Sequence, residues 1–416
     1  MLYQTCSISA ITIYLFKAVK LGMIIFVQSF PAGEAGGGGG RILRRLTEGS
    51  KDKIRFICTS ETIPKSLLPN EVWIPTRPGL GRLDRSRFRW VAGCVENLTS
   101  NSFQRRLLEY LKQENASAVH VLPHHNMDYM AAAKVAAQLK LPLYCTVHDD
   151  TRYVNRGRKD RGKLEQGVQM VWHQAAARFV ICPEIGEEYN RRYGQQSWQV
   201  ITDGLDVAEL ESIEVHPPSG RGEIRPYFMG LFHNGYRESL SSFLKAADVL
   251  RKKSLPFANS MRLRCGALSR LAYEGDTRLD VLPFGPQEEV KRDMEHASLL
   301  YLPLPFGDAY KDFVKYSFST KLISYLGAGR LIFYHGPEDA ALASYLKGTN
   351  AAICAHSLDP VEIAEALSRH LGDAAACLKL IESARMAART DFDFYQIKSR
   401  FWDSITRPQH HASSGE

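Results

Sequence analysis

The chain has 416 residues, 44% of them apolar, which is enough for two domains with separate cores and excludes a fibrous or disordered protein. Its 53 basic residues against 45 acidic ones leave a net charge of +8. That balance favours anionic small molecules or anionic lipid, and it falls short of a dedicated nucleic-acid binder, so no nucleic-acid partner is expected.

The eight cysteines are scattered singly, in neither a zinc spacing nor a disulfide framework, and read as reduced thiols of a cytoplasmic protein. Residues 1–22 carry an apolar stretch broken by Lys17 and Lys20, with no small-residue cleavage site after it. They read as a dispensable extension with Met23 as an alternative start; the competing reading is a membrane-associating helix.

From Met23 onward, apolar strand-like runs alternate with helix-period segments. Strands are predicted at 23–27, 54–58, 118–122, 143–147 and 179–182, and helices from about Arg41, near 130–140 and near 186–193. This alternation predicts βαβ units and a parallel sheet covered on both faces. Residues 211–225, with two prolines and two glycines, predict a linker. The pattern then restarts, with strands at 227–229, 262–265, 280–282 and 299–302 and helices at 240–251 and 288–296. The organisation read from this is one Rossmann-like domain over 23–210 and a second over 226–390. An aromatic, amphipathic segment follows at 391–405, and then a disordered tail at 406–416. Ligands of such sheets bind at the carboxyl ends of the strands, here in the cleft between the halves.

Two basic clusters stand out: Arg82, Arg85, Arg87 and Arg89, and then Arg152, Arg156, Arg158, Lys159, Arg161 and Lys163 with only Asp160 opposing. Each reads as a solvated loop or as contact with an anionic membrane surface or acidic acceptor. Three strand ends carry chemistry. The glycine run Gly36–Gly40 follows the first strand and could cradle a phosphate on backbone N–H groups, yet it fits neither Gly-x-Gly-x-x-Gly nor a P-loop. The run 119–123 delivers His124, His125 and Asp128, as an acceptor wall or as helix caps, and 143–147 delivers His148, Asp149 and Asp150. No His, Cys, Asp or Glu spacing makes a metal cage, which predicts metal-independent chemistry.

The strongest signal lies in Phe318-Ser-Thr-Lys-Leu-Ile-Ser-Tyr-Leu-Gly-Ala-Gly329, after the apolar run 299–305. A loop opening on Ser319 and Thr320, a helix carrying Lys321 and Tyr325, and a glycine stop at Gly327 and Gly329 make an anion-binding helix entrance. The segment resembles the donor-nucleotide motif of retaining GT-B glycosyltransferases of the glycosyltransferase family 4 type ("glycosyl transferases group 1"), a Pro-x-Lys-x-x-Glu-Tyr-Leu-Ala-x-Gly-like stretch. Lys321, Tyr325, Leu326 and Gly329 match it, and Ser324 stands where the family has glutamate. Asp203-Gly204-Leu205-Asp206 is similar to the Asn-Gly-Val-Asp that closes the first domain in family members.

The resemblance covers 23–405 and implies an α/β fold of GT-B architecture, two Rossmann-like domains facing a central cleft, with the last helix crossing back onto the first domain. It implies transfer of a sugar from a nucleoside-diphosphate donor, with retention, to a glycan, lipid-linked or small-molecule acceptor. Bacterial surface polysaccharide synthesis is the implied setting, in the cytoplasm or peripherally at the inner membrane face, with no cofactor. Implied donor contacts are Gly36, Gly37, Gly38, Gly230, Phe284, Gly285, Ser319, Thr320, Lys321, Ser324 and Tyr325. Implied catalytic groups are His148, Asp149, Asp150, Arg237 and Lys321; Arg237 is the nearest cation where Leu231 replaces the family's arginine. His124, His125 and Asp128 would form the acceptor wall. Two rival classes remain at this point. One is a catalytically silent relative acting as a subunit or scaffold. The other is an NAD-dependent or epimerase-type enzyme using Gly36–Gly40, with Glu61 at the end of the second strand as its ribose acid.

Overall fold

The computed structural model describes residues 22–33, 37–76, 88–124, 126–156, 158, 160–218, 222–232, 234–266, 273 and 275–406. Residues 1–21 of the expected extension, the arginines at 82, 85 and 87, Gly36, His125, Lys159 and the tail after 406 lie outside the described residues.

Two parallel sheets carry the fold. The first has seven strands, β1 (Met23–Gln28), β2 (Ile54–Cys58), β3 (Glu71–Trp73), β4 (Ala116–Val121), β5 (Leu143–Val147), β6 (Ala177–Val180) and β7 (Gln199–Val200), in the order β3-β2-β1-β4-β5-β6-β7. The second has six, β8 (Pro226–Met229), β9 (Met261–Arg264), β10 (Leu279–Leu282), β11 (Leu299–Pro303), β12 (Leu331–His335) and β13 (Ile353–Ala355), in the order β10-β9-β8-β11-β12-β13. Strands β5, β11 and β12 are buried at every residue, as both-face coverage of a parallel sheet requires. In each sheet the strand order reverses beside the first strand. Crevices therefore open at the carboxyl ends of β1 and β4 and of β8 and β11.

Helix α1 (Gly37–Thr47) starts earlier than the sequence suggests, because four glycines form its first turn. Each glycine costs about 1 kcal/mol in a helix relative to alanine. Close approach is the reason they are there. A Cβ on Gly39 would lie 2.9 Å from His148 Nδ1, and one on Gly40 would lie 2.8 Å from the Pro31 carbonyl oxygen.

The chain crosses between the domains twice, and the crossings pair. Leu205 N–H donates to Phe392 O at 2.7 Å, and Phe394 N–H donates to Leu205 O at 2.9 Å. Gly204 fits beneath them only without a side chain, since a Cβ would lie 2.7 Å from Phe394 Cα. The final helix, Phe394–Thr406, then lies on the first domain. It buries Phe394, Ile397, Phe401 and Ile405, one face at helical spacing. Trp402 Nε1 donates to Leu46 O and Tyr144 Oη to Ile405 O, each at 2.8 Å.

The second basic cluster is partly folded in: Arg158 is buried and Arg152 half-buried, while Arg156, Arg161 and Lys163 stay exposed. Arg158 is buried and donates to Glu96 at 2.9 Å and Asp160 at 2.7 Å, while Arg152 and Arg161 both pair with Glu165 at 2.9 Å. One carboxylate distant in sequence, Glu96, and two local ones, Asp160 and Glu165, pair with Arg158, Arg152 and Arg161. Glu96 comes from the long helix Arg89–Gln113, which the sequence reading did not anticipate.

Candidate functional site

The second-domain half of the cleft is built on the carboxyl end of β8. Gly230 follows it at φ +111°, a conformation that favours glycine, and a Cβ there would lie 3.2 Å from Lys321 Cδ. Lys321 belongs to the short helix Thr320–Leu326, capped by Ser319, whose Oγ accepts the Lys321 N–H at 3.3 Å. The helix has only seven residues, and its first free amide is already taken by Ser319. The anion-binding character expected of this helix entrance therefore narrows to the Lys321 side chain.

That side chain is an incomplete ion pair. Its Nζ lies 5.3 Å from the Phe228 ring centroid and 5.7 Å from that of Tyr236, so two aromatic faces partly replace its lost water. Among the described residues no carboxylate comes within ion-pair distance of it. Burial lowers its pKa to about 8. A half-buried, desolvated cation with no described anion, at the mouth of a strand switch point, is half of an anion site.

Beside it opens a cavity of about 380 Å³, within the usual range of small-molecule pockets. Gly230, Phe284, Gly285 and Ser324, all singled out from sequence, line it. Phe284, Val290 and Met294 form an apolar wall suited to a flat ring, and the Glu209 and Glu295 carboxylates offer acceptors for hydroxyls. Gly285 leaves room for the Arg264 guanidinium, from which a Cβ would stand only 2.5 Å away. Arg41, from α1 of the first domain, also lines the cavity.

The first-domain half faces it with His148, which follows β5. The ring is 6% exposed, yet neither nitrogen has a hydrogen-bond partner. Burial lowers its pKa to about 4, the nearby Asp149 charge raising it and His124 lowering it further, so the imidazole is neutral at pH 7. Two buried nitrogens left unpaired cost about 1–3 kcal/mol each, which marks the place where a hydrogen-bonding ligand belongs. Gly39 packs on its Nδ1 face. Gly38 lies across the cleft from Thr320, whose Oγ1 a Cβ would approach to 3.4 Å. Gly38, Gly39, His148, Thr320 and Lys321 thus converge from both domains. His124 stands beside them, its Nε2 3.7 Å from Asp149 Oδ2.

Four candidates are placed elsewhere or otherwise engaged. Asp150 is 4% exposed, with Arg192 clamping both oxygens at 2.6 and 3.2 Å while it also caps the Arg152 N–H; it is a structural anion, not a free base. Asp128 is fully buried, accepting from Thr59 Oγ1 at 2.6 Å and Tyr129 N–H at 2.8 Å, and burial raises its pKa to about 6. It therefore offers no surface for the acceptor contact expected of it. Tyr325 is likewise fully buried, and its hydroxyl accepts the Met229 N–H at 3.2 Å, so it fixes the end of β8 and does not contact a donor. Arg237 is exposed on the first turn of helix Tyr236–Lys252 and does not line the cavity. The sequence reading missed Arg41, Glu209 and Glu295. Arg41, directly after the glycine run at a strand switch point, carried a usable signal. Among the described residues no group of three His, Cys, Asp or Glu side chains is placed to hold a metal ion, and no described helix is long and apolar enough to cross a membrane.

Two parallel-sheet Rossmann-like domains facing one cleft define the GT-B architecture. No family model matches this sequence, and no match is found among curated proteins. Solved structures do match. HepE of Anabaena in complex with UDP and glucose has 12% identity over 93% of this chain and 100% of that one, with a TM-score of 0.64. Sucrose-phosphate synthase of Thermosynechococcus elongatus has 15% identity over 92% and 98%, with a TM-score of 0.62. The α,α-trehalose 6-phosphate synthase of Burkholderia multivorans has 12% identity over 92% and 96%, with a TM-score of 0.61. The chain shares their fold, and the likeness does not single out glycosyltransferase family 4.

Proposed function

We propose that this protein is a glycosyltransferase that moves a sugar from a nucleoside-diphosphate donor to a glycan, lipid-linked or small-molecule acceptor. The observation that carries the reading is Lys321, a half-buried ammonium with no described carboxylate partner, held beside Gly230 next to the cavity. In the proposed complex the nucleoside occupies the cavity, with its base on Phe284 and its diphosphate reaching Lys321. The sugar then lies toward His148 and the glycine turn of α1.

In the reaction the bond from the anomeric carbon to the phosphate oxygen breaks, its electron pair leaving with the diphosphate, and the acceptor hydroxyl oxygen bonds to that carbon. Lys321 meets negative charge as it develops on the leaving group, where stabilisation lowers the barrier. Asp150 is tied to Arg192, so the hydroxyl proton passes to the departing phosphate oxygen, in keeping with transfer on the retained face. Metal independence, a bacterial surface-polysaccharide role and a cytoplasmic setting belong to the same proposal. HepE has been seen with UDP and with UDP-glucose, which makes uridine the first base to try. Ser324 favours one competing reading, a relative that binds nucleotide without turnover, because it lacks the carboxylate of the resembling motif.

The test is thermal stabilisation of the protein by UDP-, GDP-, ADP- and dTDP-sugars and by NAD, with EDTA present, in wild type and Lys321→Met. One sugar nucleotide should give a saturable shift that the variant loses, and the anomeric NMR signal of the product should keep the donor's configuration. No shift with any sugar nucleotide defeats the reading, a shift with NAD alone points to a dinucleotide enzyme, and binding without turnover points to the silent relative.

A further inference from the structure

One wall of the second domain's cavity belongs to the first domain. Arg41, the residue after the glycines of α1, lines it together with Gly230 and Ser324. Its Nε lies 3.1 Å from Asp203 Oδ2. Asp203 is 2% exposed and accepts in addition from Arg45 Nη1 at 2.6 Å and from the Gly204 N–H at 2.9 Å. Arg45 is fixed in turn, its guanidinium 4.0 Å above the Phe394 ring. The anchor of Arg41 is therefore rigid, and it stands next to the paired crossing of the two domains at Leu205 and Asp393.

The outer end of Arg41 is not used up in this way. Its terminal nitrogens donate to no described residue, and the side chain is 41% exposed. The other cations on the cavity differ. Arg264 is committed to Asp293 at 2.6 Å and to Glu289 at 3.0 Å, and Lys291 is an exposed lysine of helix Gln287–His296. A guanidinium held through Nε and open at its outer nitrogens is a preset fork for an oxyanion.

Resting on the donor reading above, we infer that Arg41 takes a phosphate oxygen of the bound nucleoside diphosphate, so that the anion is gripped by Arg41 from the first domain and by Lys321 from the second. An anion held this way bridges the cleft.

Calorimetric titration of the full chain with UDP, or with the diphosphate of whichever base stabilises the wild type, compares wild type, Lys321→Met, Arg41→Gln and Arg45→Gln at low and moderate salt. Loss of a charge-assisted contact should weaken binding in Arg41→Gln by about ten- to a hundredfold and flatten its salt dependence. Arg45→Gln removes the other cation on Asp203 without touching the cavity, and should bind within about threefold of wild type, well short of the loss of one charged contact. If Arg41→Gln keeps wild-type affinity, or if both arginine variants weaken equally, the inference is overturned and Arg41 is a brace for Asp203. The donor reading fails separately, when wild type binds no nucleoside diphosphate or when Lys321→Met binds as wild type does.

Discussion

Lys321 makes donor affinity a function of pH. Burial lowers its pKa to about 8, and a bound diphosphate, by placing negative charge beside the ammonium, raises it again. Below pH 8 the lysine of the free protein is already charged, so the anion binds at full strength. Above pH 8 a proton must be taken up together with the ligand, and apparent affinity falls by tenfold per pH unit until the pKa of the complex is reached. Between pH 7 and pH 9 the charged fraction drops from about 90% to about 9%, a weakening of about tenfold or about 1.4 kcal/mol. Folding responds with the opposite sign. The folded pKa lies below the ordinary value of 10.5, so the unliganded protein gains stability as pH rises from 8 toward 10.5 while the donor binds less well. Titration with a sugar nucleotide at pH 7, 8 and 9, in wild type and Lys321→Met, separates these effects. Ionisation of the ligand's own base is common to both proteins and cancels in their ratio. Wild type should lose its advantage over the variant by about tenfold across this range. A ratio that is the same at pH 7 and pH 9 would refute the argument, because the lysine would then not meet the diphosphate.

Three further substitutions test the first domain. Gly39→Ala gains about 1 kcal/mol of helix propensity and loses about 1–3 kcal/mol by forcing a methyl group to within 2.9 Å of His148 Nδ1. Thermal melts should show a net loss of stability, and turnover should fall further than the melt alone explains. His148→Gln should remove an acid limb from the stability curve. The folded pKa of about 4 lies below the ordinary 6.5, so native stability is lost as pH falls from 6.5 through 4, by about 2 kcal/mol between pH 6.5 and 5. Urea unfolding at pH 7 and pH 5 should show that extra loss in wild type only, since the buried His335 is common to both proteins and His120 is held neutral chiefly by its own burial, the His148 charge adding second. Asp150→Asn leaves Arg192 with Glu188 alone and should cost about 3 kcal/mol of stability, as loss of one partner of a buried pair does, with turnover measured well below the melt little changed. Abolished turnover in a folded Asp150→Asn protein would return Asp150 to the role of base.

What could be read from the sequence divides along the distance over which each signal acts. The central strands were legible because a strand buried on both faces tends to an unbroken apolar run, as Met23–Val27 of β1 and Leu299–Pro303 of β11 are. Edge strands of two or three residues, such as Gln199–Val200 and Glu71–Trp73, bury too little to leave such a run. The lysine helix was legible for the same local reason, since cap, cation and glycine stop fall within a dozen residues. Helix Arg89–Gln113 was not, because it buries Phe103, Leu107 and Leu111 but leaves Trp90 and Leu98 exposed, which blurs its apolar stripe.

Side-chain roles failed wherever a partner lies far along the chain. Asp150 and Arg192 are 42 residues apart, Glu96 and Arg158 are 62 apart, and the Tyr325 hydroxyl meets a backbone N–H 96 residues away. A carboxylate at a strand end looks the same in sequence whether it faces a substrate or an arginine from a later helix. Only packing tells the two apart. The same reasoning turned round identifies His148 and Lys321. The fold pairs Asp150, Asp128 and the Tyr325 hydroxyl with groups from other segments, but it leaves one buried imidazole with neither nitrogen bonded and one half-buried ammonium with no described anion. A folded chain tolerates such deficits, each worth kilocalories, where a ligand makes them good. The deficits are therefore better evidence for the site than any motif match, since they depend on all the contacts of the fold at once.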